Sequence, residues 1–124
     1  MKPTVLAYEI DDEKRWRQIR QIGRRLQVQV RRIRPEHYHV SLQQILQTPQ
    51  SEWRSGPDTA ELGAEMVVFC GLTDSLLERF LYELRRMGTV ERKAVLTETN
   101  AAWTFYQLYE EIRNEHEKME ETGR

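Results

Sequence analysis

The sequence holds a single cysteine, Cys70, in 124 residues. A lone thiol excludes a disulfide framework and leaves no cysteine cluster for zinc. Long hydrophobic runs are also missing. The longest, Met66-Val67-Val68-Phe69-Cys70 and Ala94-Val95-Leu96, fall far short of a membrane span. The opening residues, Met1-Lys2-Pro3-Thr4-Val5, lack the apolar stretch of a signal peptide. The expected location is therefore the cytoplasm, with no membrane partner. Neither Gly-x-x-x-x-Gly-Lys-Ser/Thr nor Gly-x-Gly-x-x-Gly occurs, so no nucleotide cofactor is expected. His37 and His39 stand two apart, a spacing that does not share a helix face, and no His-Glu-x-x-His is present. No metal site is expected.

Net charge is nearly absent as well, at −1, but the balance is uneven along the chain. Residues 1–34 carry 10 basic and 4 acidic side chains, a net of +6. Residues 35–124 carry a net of −7. Such asymmetry marks either an electrostatic partner surface or mutual attraction within the fold.

Periodicity organises the rest. Thr4–Ile10 reads as a strand, and Asp11 or Asp12 is placed to cap a helix. Trp16, Ile19, Gly23 and Leu26 recur at helical spacing, which predicts an amphipathic helix from about Glu13 to Gln27. Val28, Val30 and Ile33 predict an edge strand with one solvated face. Pro35 suits the start of a second helix, with Tyr38, Leu42, Ile45 and Leu46 inward. Pro, Gly and Ser then cluster in an irregular loop at about 48–64. Within it stands Trp53, placed either to fold back or to meet a neighbouring molecule.

The second half is more regular. Met66–Cys70 reads as a buried central strand closed by Gly71. Thr73 or Asp74 caps a helix whose apolar face is Leu76, Leu77, Phe80, Leu81, Leu84 and Met87, and Gly88 ends it. Lys93–Thr97 reads as another buried strand. Thr99 or Asn100 is expected to cap a last helix, with Trp103 in its first turn and an acidic far end.

Strand and helix alternate four times. We therefore expect residues 1–124 to form a single α/β domain, with a small four-stranded, mostly parallel sheet of order 2-1-3-4 and flanking helices. The alternative is a ferredoxin-like α+β arrangement.

The most distinctive stretch is Lys93-Ala94-Val95-Leu96-Thr97-Glu98-Thr99-Asn100-Ala101-Ala102-Trp103. With Leu108-Tyr109-Glu110-Glu111-Ile112 and Glu115-His116-Glu117, it resembles the domain of unknown function 3783 family of uncharacterised bacterial proteins. The resemblance continues upstream through Val68-Phe69-Cys70-Gly71-Leu72-Thr73, and less strongly at Leu6-Ala7-Tyr8 and Ser41-Leu42. It implies a small bacterial cytosolic protein and lends no catalytic residues.

In a parallel sheet of this order, ligands bind beyond the carboxyl ends of strands 1 and 3. That rim would gather Asp11, Cys70, Thr73, Thr97, Thr99, Asn100 and Trp103, a set suited to a small anionic ligand. Ordinary capping explains the same hydroxyls and amides. Cys70 precedes a helix, but it has no resolving partner and no base tied to it, so it reads as a small buried hydrophobe. Asp11-Asp12 resembles the acidic pair of receiver domains. However, Cys70-Gly71 stands where the phosphorylated Asp would be, so receiver phosphotransfer is disfavoured. Arg17, Arg20, Arg24 and Arg31 make a basic surface. The absence of interleaved aromatics and a sequence pI near 6.3 disfavour nucleic acid.

The function expected from the sequence is a non-catalytic binding or regulatory module, acting through contact with a protein partner or a second copy, or on a small anionic ligand. An enzyme at the strand-end rim is the alternative, followed by nucleic-acid binding through the arginines. A basic beginning and an acidic end also predict head-to-tail self-association that weakens with salt.

Overall fold

The computed structural model describes residues 2–53 and 64–122, with side chains up to residue 113 in the last helix. Most of the expected 48–64 loop therefore lies outside the described residues. So does the acidic far end of the last helix, as far as side chains are concerned. The chain divides into two compact units, Met1–Arg34 with Ala60–Leu96, and Pro35–Thr59 with Thr97–Arg124.

The first unit carries strands β1 (Thr4–Tyr8), β2 (Gln29–Ile33), β3 (Met66–Cys70) and β4 (Arg92–Val95), and helices α1 (Glu13–Leu26) and α3 (Asp74–Arg86). The sheet order is β2-β1-β3-β4, as expected. The sheet is mixed. β1 pairs with β2 and β3 with β4 in parallel, but the central β1–β3 pair is antiparallel, with Thr4 opposite Cys70 and Tyr8 opposite Met66. β1 and β3 are buried along their whole length. β4 is an edge strand rather than a buried one. Lys93 and Val95 are exposed, and only β3 pairs with it in the sheet.

Alternation decides which side chains meet the helices. Val5, Ala7, Val67 and Phe69 share one face and pack with Ile19 and Ile22 of α1 and Phe80 and Leu84 of α3. Phe69 and Phe80 meet edge to face at 5.7 Å. Asp12 caps α1 by accepting from the Lys14 N–H, and Gln27 closes it in the left-handed region. Thr73 caps α3, and Gly88 (φ +106°) follows its end. Arg15 ties α1 to the strands, donating to both Glu65 carboxylate oxygens at 2.8 and 2.6 Å and to the Thr89 carbonyl at 2.6 Å. The hydrogen bond with Glu65 is the main cause of a raised Arg15 pKa, against an opposing effect of burial.

The second unit carries α2 (Leu42–Gln47) and α4 (Phe105–Thr122). The helix expected from Pro35 is broken. Pro35–His37 is a 3₁₀ turn, and α2 begins later, with Ser41 accepting from the Gln44 N–H. Tyr38 packs on Phe105 at 4.6 Å, and Phe105 on Tyr109 at 6.0 Å. Trp53 folds back. Its ring meets His37 edge to face at 5.2 Å, and its indole N–H donates to Thr48 Oγ1 at 3.1 Å.

Candidate functional site

The antiparallel central pair separates the expected rim. The carboxyl end of β1 lies beside Met66, whereas that of β3 lies beside Thr4. Asp11 follows β1, while Cys70 ends β3 and Thr73 follows it, so Asp11 and the other two stand at opposite ends of the sheet. The crevice expected between strands 1 and 3 requires both carboxyl ends on one side, and it does not form.

Thr73, Thr97, Asn100 and Trp103 serve local turns and caps, while Asp11 and Thr99 stand exposed. Thr73 Oγ1 accepts from the Leu76 N–H at 3.2 Å. Asp11 is exposed, and the cap is Asp12. Thr97 and Asn100 form a closed turn. Asn100 Oδ1 accepts from the Thr97 N–H at 2.8 Å, and the Asn100 N–H donates to Thr97 Oγ1 at 3.2 Å. Thr99 is exposed in that turn. The Trp103 and Ala101 carbonyls accept from the Leu42 and Gln43 N–H groups at 2.9 and 2.8 Å. The turn therefore takes up the first amides of α2, which an anion would otherwise use.

The start of α4 corrects an expectation. Neither Thr99 nor Asn100 caps it. Thr104 does, accepting from the Gln107 N–H at 3.3 Å, while Gln107 Oε1 accepts from the Thr104 N–H at 2.8 Å. This is a reciprocal capping box, and Trp103 precedes the helix instead of standing in its first turn. The signal is legible in Thr104-Phe105-Tyr106-Gln107, because Gln three residues after Thr completes the box.

Cys70 is fully buried and lies 3.7 Å from the Val68 carbonyl, to which its thiol donates. Burial pushes the thiol up to about 12. It stays protonated at neutral pH, so it lacks the thiolate that nucleophilic chemistry needs. Among the described residues, no group of three or more His, Cys, Asp or Glu side chains is placed to hold a metal ion. His37 is buried against Trp53, and His39 is exposed.

The basic surface divides as well. Arg17, Arg20 and Arg24 are exposed and share one side of α1. Arg31 pairs in register with Leu6, whereas Arg32 pairs with Ala7 and reaches Trp16 and Glu13 of α1. Adjacent strand residues point to opposite faces. Arg31 therefore faces away from the α1 arginines, and the structure does not join the four.

A feature not anticipated from the sequence lies on the outer side of α1 and α3. A cleft of about 640 Å³ is lined by Leu26, Leu81 and Tyr82, together with Glu78, Arg79, Glu83 and Arg85. Tyr82 is 55% exposed, large for an aromatic side chain. The Arg86 guanidinium lies 5.9 Å from its ring centre. Arg25 bridges from α1 to Glu83 at 2.7 Å. A smaller cleft of about 240 Å³ on the same seam also uses Glu83. The signal for Tyr82 was available, since the inward set Leu77, Phe80, Leu81 and Leu84 leaves position 82 on the outer side.

No helix among the described residues is long and apolar enough to cross a membrane. Residues 65–119 match the family described as Domain of unknown function (DUF3783). The match starts just before β3 and ends within α4. It contains α3 and the Thr97–Trp103 turn, but not Asp11 or α1. The extension expected at Leu6-Ala7-Tyr8 and Ser41-Leu42 lies outside the matched span. No curated protein and no solved structure matches the chain.

Proposed function

For a chain that carries a domain of unknown function 3783, we propose a non-catalytic binding or regulatory role in the bacterial cytoplasm, exercised through contact with another protein. The observation that carries this reading is the α1–α3 cleft. It combines an exposed tyrosine with apolar and charged side chains on two rigid helices. Tyrosine and arginine are enriched where proteins meet, because each gives a large contact area and fixed hydrogen-bonding geometry. The side chains that the sequence offered for chemistry support the same reading. Thr73, Thr97 and Asn100 hold turns and caps, and Cys70 is a buried thiol.

Selection of a displayed random-peptide library on the immobilised full-length protein tests it. Binding peptides should be enriched on the native protein and lost on Tyr82→Ala. That substitution lies on the surface and should change stability by less than about 0.5 kcal/mol. No enrichment, or equal enrichment on both proteins, would refute the reading.

A further inference from the structure

We infer that the α1–α3 cleft accepts an acidic, amphipathic protein segment, with an apolar side chain against Tyr82, Leu26 and Leu81 and carboxylates on the surrounding arginines. This rests on the protein-contact reading above and adds the chemistry of the partner.

The apolar part has a defined place. Leu26 is the last residue of α1, and Leu81 and Tyr82 sit on α3. Leu26 and Leu81 are half-buried, and Tyr82 leaves more than half its surface in water. The volume of about 640 Å³ falls in the range that holds a bound segment's side chains. Covering this surface removes apolar area from water without a new fold.

The charged lining itself is balanced, Arg79 and Arg85 against Glu78 and Glu83, and the arginines beside it tip the sum to positive. Arg79 and Arg85 line the cleft, Arg86 stacks on Tyr82, and Arg25 joins Glu83. Against these four stand Glu78 and Glu83. Glu83 already has Arg25 at 2.7 Å and Arg86 at 3.8 Å. Among the described residues, neither Arg79 nor Arg85 is in an ion pair. Their planar guanidinium groups suit carboxylates, each of which takes two parallel hydrogen bonds. Charge complementarity thus selects an acidic partner. A nucleic acid fits less well. The cleft offers its bases one aromatic ring, and Leu26 and Leu81 beside that ring match an apolar side chain. A peptide carries apolar and acidic side chains together.

The test reads the composition of the peptides selected above. Enriched sequences should carry excess Asp and Glu beside Leu, Phe or Trp. One such peptide, synthesised with a fluorescent label, then serves as the probe for anisotropy. Replacing its acidic residues by Gln, or Arg79 and Arg85 by Glu in the protein, should each weaken binding about tenfold. Raising salt from about 0.05 to 0.5 M should weaken it several-fold. Circular dichroism checks that the Arg79→Glu/Arg85→Glu protein is folded, and Arg79→Gln/Arg85→Gln should give a smaller loss. Neutral or basic selected peptides, or indifference to both charge changes, would overturn the acidic partner and leave the protein-contact reading standing. No selected peptides at all would overturn both. Displacement of the probe by single-stranded RNA at lower concentration than by unlabelled peptide would assign the cleft to nucleic acid instead. A salt-sensitive dimer in sedimentation equilibrium that Tyr82→Ala abolishes would assign it to a second copy of the chain, and would overturn a separate partner.

Discussion

Gly23→Ala tests the seating of α1 on β2, because two effects of opposite sign meet there. Gly23 is buried inside α1. In an open helix, alanine would be the better residue by about 1 kcal/mol. Here an added Cβ would stand 2.4 Å from Val30 Cγ2 and 2.7 Å from the Val28 carbonyl oxygen. The first contact is with a side chain that is stiff at χ1. The second is with backbone held on both sides. The Val28 N–H donates to the Gly23 carbonyl at 2.8 Å, and the Gln29 N–H to the Pro3 carbonyl at 3.0 Å. Helix and strand must therefore part by roughly half an ångström, and overpacking of this kind costs about 1–3 kcal/mol. With a backbone oxygen involved, the cost lies at the upper end. The net loss should be about 1–2 kcal/mol after the helix gain is subtracted. A chain of this size should then melt about 4–8 °C lower. Urea unfolding at fixed pH gives the same quantity, with exposed Gln21→Ala as a control that should be neutral or slightly stabilising. Gly23→Ala combined with Val30→Ala should lose less than the sum of the two, because the 2.4 Å contact disappears and the 2.7 Å contact stays. A Gly23→Ala protein as stable as the native one would refute the close approach.

Thr104→Ala should cost about 1 kcal/mol and raise amide exchange in the first turn of α4, whereas Thr99→Ala should stay within about 0.5 kcal/mol; equal losses would place the cap elsewhere. Iodoacetamide at pH 8 should label Cys70 far more slowly in the native chain than in urea, and equal rates would contradict its burial. The unfolded thiol ionises near 9.0, while the folded one waits until about 12. Stability from this residue is therefore intact below pH 9 and falls between pH 9 and 12, by up to about 4 kcal/mol. Cys70→Ala should flatten the slope of stability against pH in that window. Arg15→Ala should cost about 1–2 kcal/mol by removing the fork to Glu65 and the bond to the Thr89 carbonyl, and Arg15→Lys should restore only part of it. No change on Arg15→Ala in urea unfolding would remove the link between α1 and the strands.

Much of the first unit was legible because its pattern is local. Trp16, Ile19, Gly23 and Leu26 mark one face of a helix whichever way the chain continues. Asp12, Thr73 and Gly88 sit where caps and stops are chemically favoured. Strand direction was not legible. Side chains alternate in the same way whether a strand runs up or down, and Met66–Cys70 is apolar throughout. The residues between Ile33 and Met66 are long enough to return the chain to either end of the sheet. The right-handed crossover rule constrains only parallel connections. Trp53 was ambiguous for another reason. Its ring partner His37 lies outside the loop, and nothing in a polar loop announces it.

That single reversal of direction redistributes the candidate chemistry. With β1 and β3 antiparallel, the carboxyl ends of the four strands divide between two edges, and no rim collects Asp11 with Cys70 and Thr73. The hydroxyls and amides left at each edge are few enough for the local turns to use. The helical side has no such constraint. The positions of α3 that face away from the sheet are free of packing duties, and there the chain places Glu78, Arg79 and Tyr82. Six of the seven residues lining the cleft (Glu78, Arg79, Leu81, Tyr82, Glu83 and Arg85) fall within the family span of 65–119, and only Leu26 lies outside it. A role that belongs to the domain itself would be written on α3. α1 adds Leu26 to that cleft and Arg25 to Glu83, so its part in the contact is secondary to that of α3.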